Sequence, residues 1–206
     1  MTIKGILFDF DGTLTHPGAL DFPAIKHELG CPADKPILEY LETVPPARQA
    51  DLMKILEEKE GIAAEASRPN RGAEKCLTDL KNRGVILGIL TRNSLSSVKK
   101  GLQQFQGITT EDFSAIITRD VSQPKPHPDG VLQAARIMGL TSSELLVVGD
   151  FRFDVMAGKA AGARTALLTD GERPVMTPED PEPDFTISHL EAIFDILEDF
   201  SKVTSI

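Results

Sequence analysis

The chain has 206 residues, 41% of them hydrophobic, with 31 Asp and Glu against 22 Lys and Arg and a formal charge of −9. That length can bury a sizeable core, and the acidic balance would repel a polyphosphate backbone, so no nucleic-acid partner is expected and an anionic ligand needs local cations. Cys31 and Cys76 lie far apart in no metal-binding spacing, the acidic pair near the start arrives too soon for a signal peptide, and no apolar run approaches membrane-spanning length; structural thiols and a cytoplasmic location are expected.

Ile3 to Asp9 is apolar on both alternations, Ile6 and Phe8 on one face and Gly5 and Leu7 on the other, which predicts a strand buried on both faces. Between Thr15 and Asn70 the pattern changes: ALDFPAIKHELG, PILEYLET and PARQADLMKILEEKEG predict three helices with no strand between them. Pro46 suits a first helical turn, and Ala66 to Gly72 forms the return linker. Helices are then predicted near 72–83, 94–105, 128–138 and 153–161, closed by glycines at 84, 107, 139 and 162. They alternate with short apolar runs at Val85 to Leu90, Ser114 to Thr118, Leu145 to Val148 and Thr165 to Thr169. Gly171 to Asp184, rich in Pro and acid, predicts an exposed loop before a last strand FTI and a helix from His189 to Phe200. The alternation predicts an α/β fold, a Rossmann-like doubly wound parallel sheet core (residues 1–15 and 71–206) with a small inserted α-helical cap (16–70), and ligands gathered at the carboxyl ends of the strands.

Asp9 and Asp11 end the first strand. Residues i and i+2 of an extended segment point the same way, so the two carboxylates share one site while Phe10 faces apart from them, and Gly12 turns the chain. Such a pair repels itself unless a cation joins it or one member keeps a proton, which calls for Mg²⁺ or for separate acid and nucleophile roles. Asp150 follows the buried LLVVG run, where an unpaired charge is costly and metal coordination accounts for it. Lys125 lies in QPKPHPDG, a loop stiffened by prolines 124, 126 and 128. Thr91 closes the VILGIL run, where its hydroxyl and the N–H groups of Arg92 and Asn93 suit phosphate oxygens at a helix start; Ser94 offers the plain helix cap.

In order, Asp9-Phe10-Asp11-Gly12-Thr13, Thr91-Arg92-Asn93, Lys125-Pro126 and Gly149-Asp150 with Asp154 resemble the four signatures of the haloacid dehalogenase-like superfamily, in particular its phosphatases with a helical cap inserted after the first strand. The resemblance covers nearly the whole core. It implies that Asp9 attacks phosphorus to give an aspartyl-phosphate and that Asp11 donates a proton to the leaving group and later takes one from water. It further implies Mg²⁺ on Asp9, the Asp11 main-chain carbonyl and Asp150, and phosphate held by Thr91, Arg92, Asn93 and Lys125. Asp154 either holds Lys125 or a metal-bound water, or is the N-terminal charge of the next helix. The family's dehalogenases do not keep the second Asp, so Asp11 selects phosphoryl transfer. Phe151-Arg152-Phe153 departs from the serine many relatives carry and suits an apolar wall; Arg92 is also unusual beside Thr91. The implied activity is hydrolysis of a small phosphorylated metabolite, with a phosphomutase or a non-catalytic binding module as rivals. Cap hinges are expected at His16 to Leu20 and Ser67 to Gly72, Arg68 and Arg71 read as solvated, and His127 as a surface loop residue. Oligomeric state is left open.

Overall fold

The computed structural model describes residues 2–169 and 176–203. Strands β1 (Gly5–Phe8), β2 (Ile86–Leu90), β3 (Ala115–Ile117), β4 (Leu145–Gly149), β5 (Arg164–Leu168) and β6 (Phe185–Ile187) form one parallel sheet in the order β3-β2-β1-β4-β5-β6. This is the doubly wound order. Phe8, the last residue of β1, is paired with Ile89 and Val148, so the strands flanking β1 end beside it at one edge. That edge carries the site.

Helices α1 (Phe22–Leu29), α2 (Ile37–Leu41), α3 (Pro46–Ala66), α4 (Ala73–Asn82), α5 (Leu95–Leu102), α6 (Asp129–Met138), α7 (Arg152–Ala161) and α8 (Ile193–Val203) complete the described residues, with three short 3₁₀ turns. The alternation in β1 is realised in two separate clusters. Ile6 and Phe8 pack with Leu77 and Leu80 of α4, Val98 of α5 and Ile193 of α8. Leu7 packs on the opposite face with Val131, Ala134 and Met138 of α6 and Ala157 of α7. Each buried aliphatic side chain contributes roughly 1.5–3 kcal/mol, which fixes β1 between two helical layers.

The inserted helices α1 to α3 bury a third cluster that includes Ile25, Leu29, Leu41, Leu52 and Leu56. Asp21 caps α1 by accepting from the Ala24 N–H at 3.0 Å. Helix α3 runs on to Ala66, past the stop expected at Gly61. Ala63, Ala64 and Ala66 favour the helix, and Gly61 leaves room for α5, since a Cβ there would stand 3.2 Å from Lys100 Nζ. Conversely, α5 ends at Leu102, short of the predicted residue 105, and Phe105 stacks on Phe10 with ring centroids 6.4 Å apart. The last helix begins later than predicted, after a 3₁₀ turn at Leu190–Ala192. Residues 171–175 of the predicted acidic loop lie outside the described residues. In its remainder Asp180 turns inward, accepting from the Thr177 N–H at 2.7 Å and pairing with Arg152 at 3.3 Å. Both cysteines are buried and free. Among the described residues no helix is long and apolar enough to cross a membrane.

Candidate active site

The carboxyl end of β1 delivers the acidic pair. The Asp9 N–H continues the ladder by donating to the Val148 carbonyl at 2.8 Å, while Phe10, 1% exposed, enters the core away from its neighbours. Asp9 and Asp11 therefore face one cavity, which Thr91, Arg92, Asn93, Lys125, Asp150 and Asp154 also line. All eight candidate residues meet at one sheet edge. Gly12 makes the turn with φ +87°, and the Asp150 carboxylate lies where its Cβ would be, so this position needs glycine for both angle and space.

Lys125, 3% exposed, places its Nζ 2.5 Å from Asp9 Oδ1 and 2.5 Å from Asp154 Oδ1. The other oxygen of Asp154 accepts from the Phe151 N–H at 3.1 Å. Asp154 thus fills two expected roles at once, holding Lys125 and capping α7. Gly149 permits it, because a Cβ there would collide with the Asp154 carboxylate. Asp150 Oδ1 accepts from the Thr13 hydroxyl at 3.0 Å. On the β2 side, the Asn93 amide donates to Asp11 Oδ2 at 2.6 Å, and the Asn93 N–H donates to the Thr91 hydroxyl oxygen at 3.1 Å. As acceptor of that bond the Thr91 hydroxyl still has its own proton to donate. The Arg92 side chain points elsewhere: its guanidinium bonds the Lys125 carbonyl, pairs with Glu39 of α2 at 2.6 Å and lies 5.0 Å from the Phe153 ring centroid.

Burial of so many acids has electrostatic consequences. It pushes the Asp9 carboxyl well above its ordinary value, with Lys125 opposing and Asp154, Asp150 and Asp11 reinforcing. Burial followed by the Glu60 charge pushes Asp11 up to about 7, against Lys125 and the Asn93 amide. Asp150 is pushed up to about 6 by burial and by Asp154. Burial disfavours the Lys125 ammonium, but Asp154 and Asp9 outweigh it and hold its pKa above the ordinary 10.5. One lysine does not neutralise this cluster.

Asp9, Asp150 and Asp154 each bring a carboxylate oxygen within 4.8 Å of the others. Hard oxygen donors carrying surplus negative charge fit a divalent cation. Both Asp154 oxygens already accept hydrogen bonds, which leaves Asp9 and Asp150 the better placed of the three.

Several residues here escaped the sequence reading. Asn70, in the return linker, donates to the Thr13 carbonyl at 2.9 Å and clamps the turn after Asp11. Glu60 of α3 lines the cavity and pairs with Arg119 at 2.6 Å, both side chains buried. Arg119 also donates to the Arg92 carbonyl at 3.1 Å. By contrast, Arg68, Arg71 and His127 are exposed, and none of them lines this cavity; His127 Nδ1 accepts from the Asp129 N–H instead, at 3.1 Å.

Comparison with known proteins agrees with this picture. The family model for haloacid dehalogenase-like hydrolases matches residues 3–162. A haloacid dehalogenase-like hydrolase domain-containing protein of Arabidopsis thaliana is 32% identical, covering 95% of this chain and 84% of that protein. The pyrophosphatase PpaX of Bacillus cereus is 27% identical over 98% of this chain and all of its own length. Among solved structures, CbbY from Rhodobacter sphaeroides in complex with phosphate superposes with a TM-score of 0.71 at 22% identity, covering 92% of this chain and 95% of that one. The resemblance carried by four short signatures thus extends from β1 through α7, and the chain belongs to the haloacid dehalogenase-like hydrolases.

Proposed function

We propose that the chain is a Mg²⁺-dependent phosphomonoester hydrolase that acts on a small phosphorylated metabolite through an aspartyl-phosphate on Asp9. The observation that carries the reading is the placement of Lys125 against Asp9, with Asp11 facing the same cavity two residues on. A carboxylate oxygen of Asp9 forms a bond to phosphorus as the bond from phosphorus to the leaving-group oxygen breaks. Asp11 gives that oxygen a proton, and the Asn93 amide orients the Asp11 carboxyl for the task. Water then attacks the phosphoryl group, Asp11 takes its proton, and Asp9 and phosphate are released. Lys125 offsets charge on the nucleophile and the phosphoryl oxygens, and Asp154 fixes its Nζ. Thr91 and Arg92 line the cavity, and the Thr91 hydroxyl and the Arg92 main-chain N–H would supply donors to phosphate there. Asp9, Asp150 and the Asp11 carbonyl would hold the Mg²⁺, which supplies Lewis-acid charge neutralisation where three carboxylates crowd together.

The names of relatives support phosphoryl chemistry in general: one is a pyrophosphatase, and CbbY was solved in complex with phosphate. The test is release of inorganic phosphate from a panel of phosphoglycolate, sugar phosphates and nucleotides, each with Mg²⁺ and with EDTA. Release that requires the metal is expected. Silence across the panel, or transfer of the phosphoryl group to a second hydroxyl in place of water, overturns the reading.

A further inference from the structure

Arg92 joins three parts of the molecule. Its Nη1 donates to the Lys125 carbonyl, its Nη2 pairs with Glu39 of α2 at 2.6 Å, and its guanidinium carbon lies 5.0 Å from the Phe153 ring centroid. Arginine suits such a place because its planar fork offers rigidly spaced donors to two acceptors at once, which an ammonium on a flexible stem does not. The main chain around it is held as well. The Thr91 N–H donates to the Ile117 carbonyl at 2.9 Å, and Arg119 Nη1 donates to the Arg92 carbonyl at 3.1 Å while pairing with Glu60 of α3 at 2.6 Å. Ion pairs from two helices of the insertion thus converge on Arg92, one on its side chain and one, through Arg119, on its carbonyl.

Glu39 does not line the catalytic cavity. It lines a separate groove together with Pro124, Pro126 and His127 of the loop that carries Lys125, and its side chain is 40% exposed. An ion pair this exposed adds little to global stability. Its consequence is local: the carboxylate keeps a long side chain in the one arrangement that also reaches the Lys125 carbonyl, and without it the guanidinium regains its rotamer freedom.

We infer that Glu39 is a positioning residue for the phosphate site: through the Arg92 guanidinium it braces the Arg92 main chain against the Lys125 loop, so that a residue of the insertion outside the cavity raises phosphate affinity. The inference rests on the phosphomonoesterase reading, in which Lys125 and the Arg92 N–H serve the phosphoryl group. The sign of the effect is opposite to that of charge alone. A carboxylate near an anion site repels the anion, so deleting it through space would tighten phosphate binding, whereas deleting the brace loosens it.

The test measures binding of inorganic phosphate by calorimetry in the presence of Mg²⁺, together with kcat and KM for p-nitrophenyl phosphate. Glu39→Gln is expected to weaken phosphate about threefold to fivefold and to lower kcat/KM by a similar factor, with the urea unfolding curve unchanged. In an Arg92→Met background the same change is expected to have no further effect, because its route is gone. Unchanged or tighter phosphate binding by Glu39→Gln overturns the inference, and so does an undiminished Glu39→Gln loss in the Arg92→Met protein. Should Arg92→Met fail to fold, Arg92→Lys, which cannot serve both acceptors from a fixed fork, takes its place in the same comparison. Native protein that binds phosphate and hydrolyses p-nitrophenyl phosphate keeps the phosphatase reading whichever way Glu39 falls; native protein that does neither sinks both.

Discussion

Lys125 stands between Asp9 and Asp154, 2.5 Å from one oxygen of each, and all three side chains are largely removed from solvent. A lone ammonium there would be expelled by desolvation, and two lone carboxylates would take up protons. Removing the lysine alone leaves two buried carboxylates facing each other, which is costlier than removing it together with one of them. Lys125→Met is expected to lower stability by roughly 3–5 kcal/mol, and adding Asp154→Asn to recover part of the loss. Urea unfolding of the two single variants and the double variant checks this; additive losses would contradict the coupling.

The two acids of the first strand should fail differently. Asp9→Asn keeps the Lys125 to Asp154 bond and removes a repelling charge, so the fold is retained while turnover drops by on the order of 10⁴-fold or more. Asp11→Asn removes proton donation to the leaving oxygen, at about 10²–10⁴-fold for alkyl phosphates and much less for p-nitrophenyl phosphate, whose leaving group needs no proton. Plotting log kcat/KM against leaving-group pKa for both enzymes tests the assignment. A slope equal to that of the native protein would remove the acid role from Asp11.

Metal should appear as stability before it appears as rate. The crowding of Asp9, Asp150 and Asp154 strains the metal-free protein, and Asp150→Asn relieves it, so the variant is expected to melt at or above the native temperature in EDTA. With Mg²⁺ at 100 times its dissociation constant, the native protein gains about 2.7 kcal/mol and the variant little. Calorimetric melts with and without Mg²⁺ read out this crossing pattern; equal metal shifts in both proteins would place the ion elsewhere.

What the sequence made legible follows from where information is local. The faces of β1 were readable because its apolar residues alternate between two helical layers, and the site was readable because four signatures fall at the ends of consecutive structural units. Glu60 and Arg119 were not. Glu60 sits in LEEKEG among Glu57 and Glu58, and nothing local distinguishes a buried acid from its solvated neighbours. Its partner Arg119 follows β3, far along the chain, and only the folded structure brings the two together. Arg92 and Asn93 were read as site residues through their main-chain N–H groups, but their side-chain partners were not legible: Glu39 lies in α2, and the Asn93 amide meets Asp11 through the parallel pairing of β1 and β2.

A last prediction concerns the far edge of the sheet. Asp184 joins β6 to β5, accepting from the Thr165 N–H at 2.9 Å, the Thr165 hydroxyl at 3.0 Å and Arg164 at 2.9 Å, with Lys159 at 2.9 Å. Burial alone would raise this carboxyl, but Lys159, the Thr165 N–H, Arg164 and the Thr165 hydroxyl together hold it at about 2, below its ordinary 3.8. The folded state therefore releases the proton more readily than the unfolded chain. Its contribution is complete above pH ~4, where both states are ionised, and disappears as pH falls towards ~2 and the folded carboxyl protonates. Because one side of the group meets solvent, the contribution is on the order of 1–2 kcal/mol. Asp184→Asn should lower the unfolding free energy at pH 7 by that amount, read from urea titrations, and flatten the decline in stability between pH 4 and pH 2. Parallel curves for native protein and variant across that window would show that the carboxylate does not hold the edge strand.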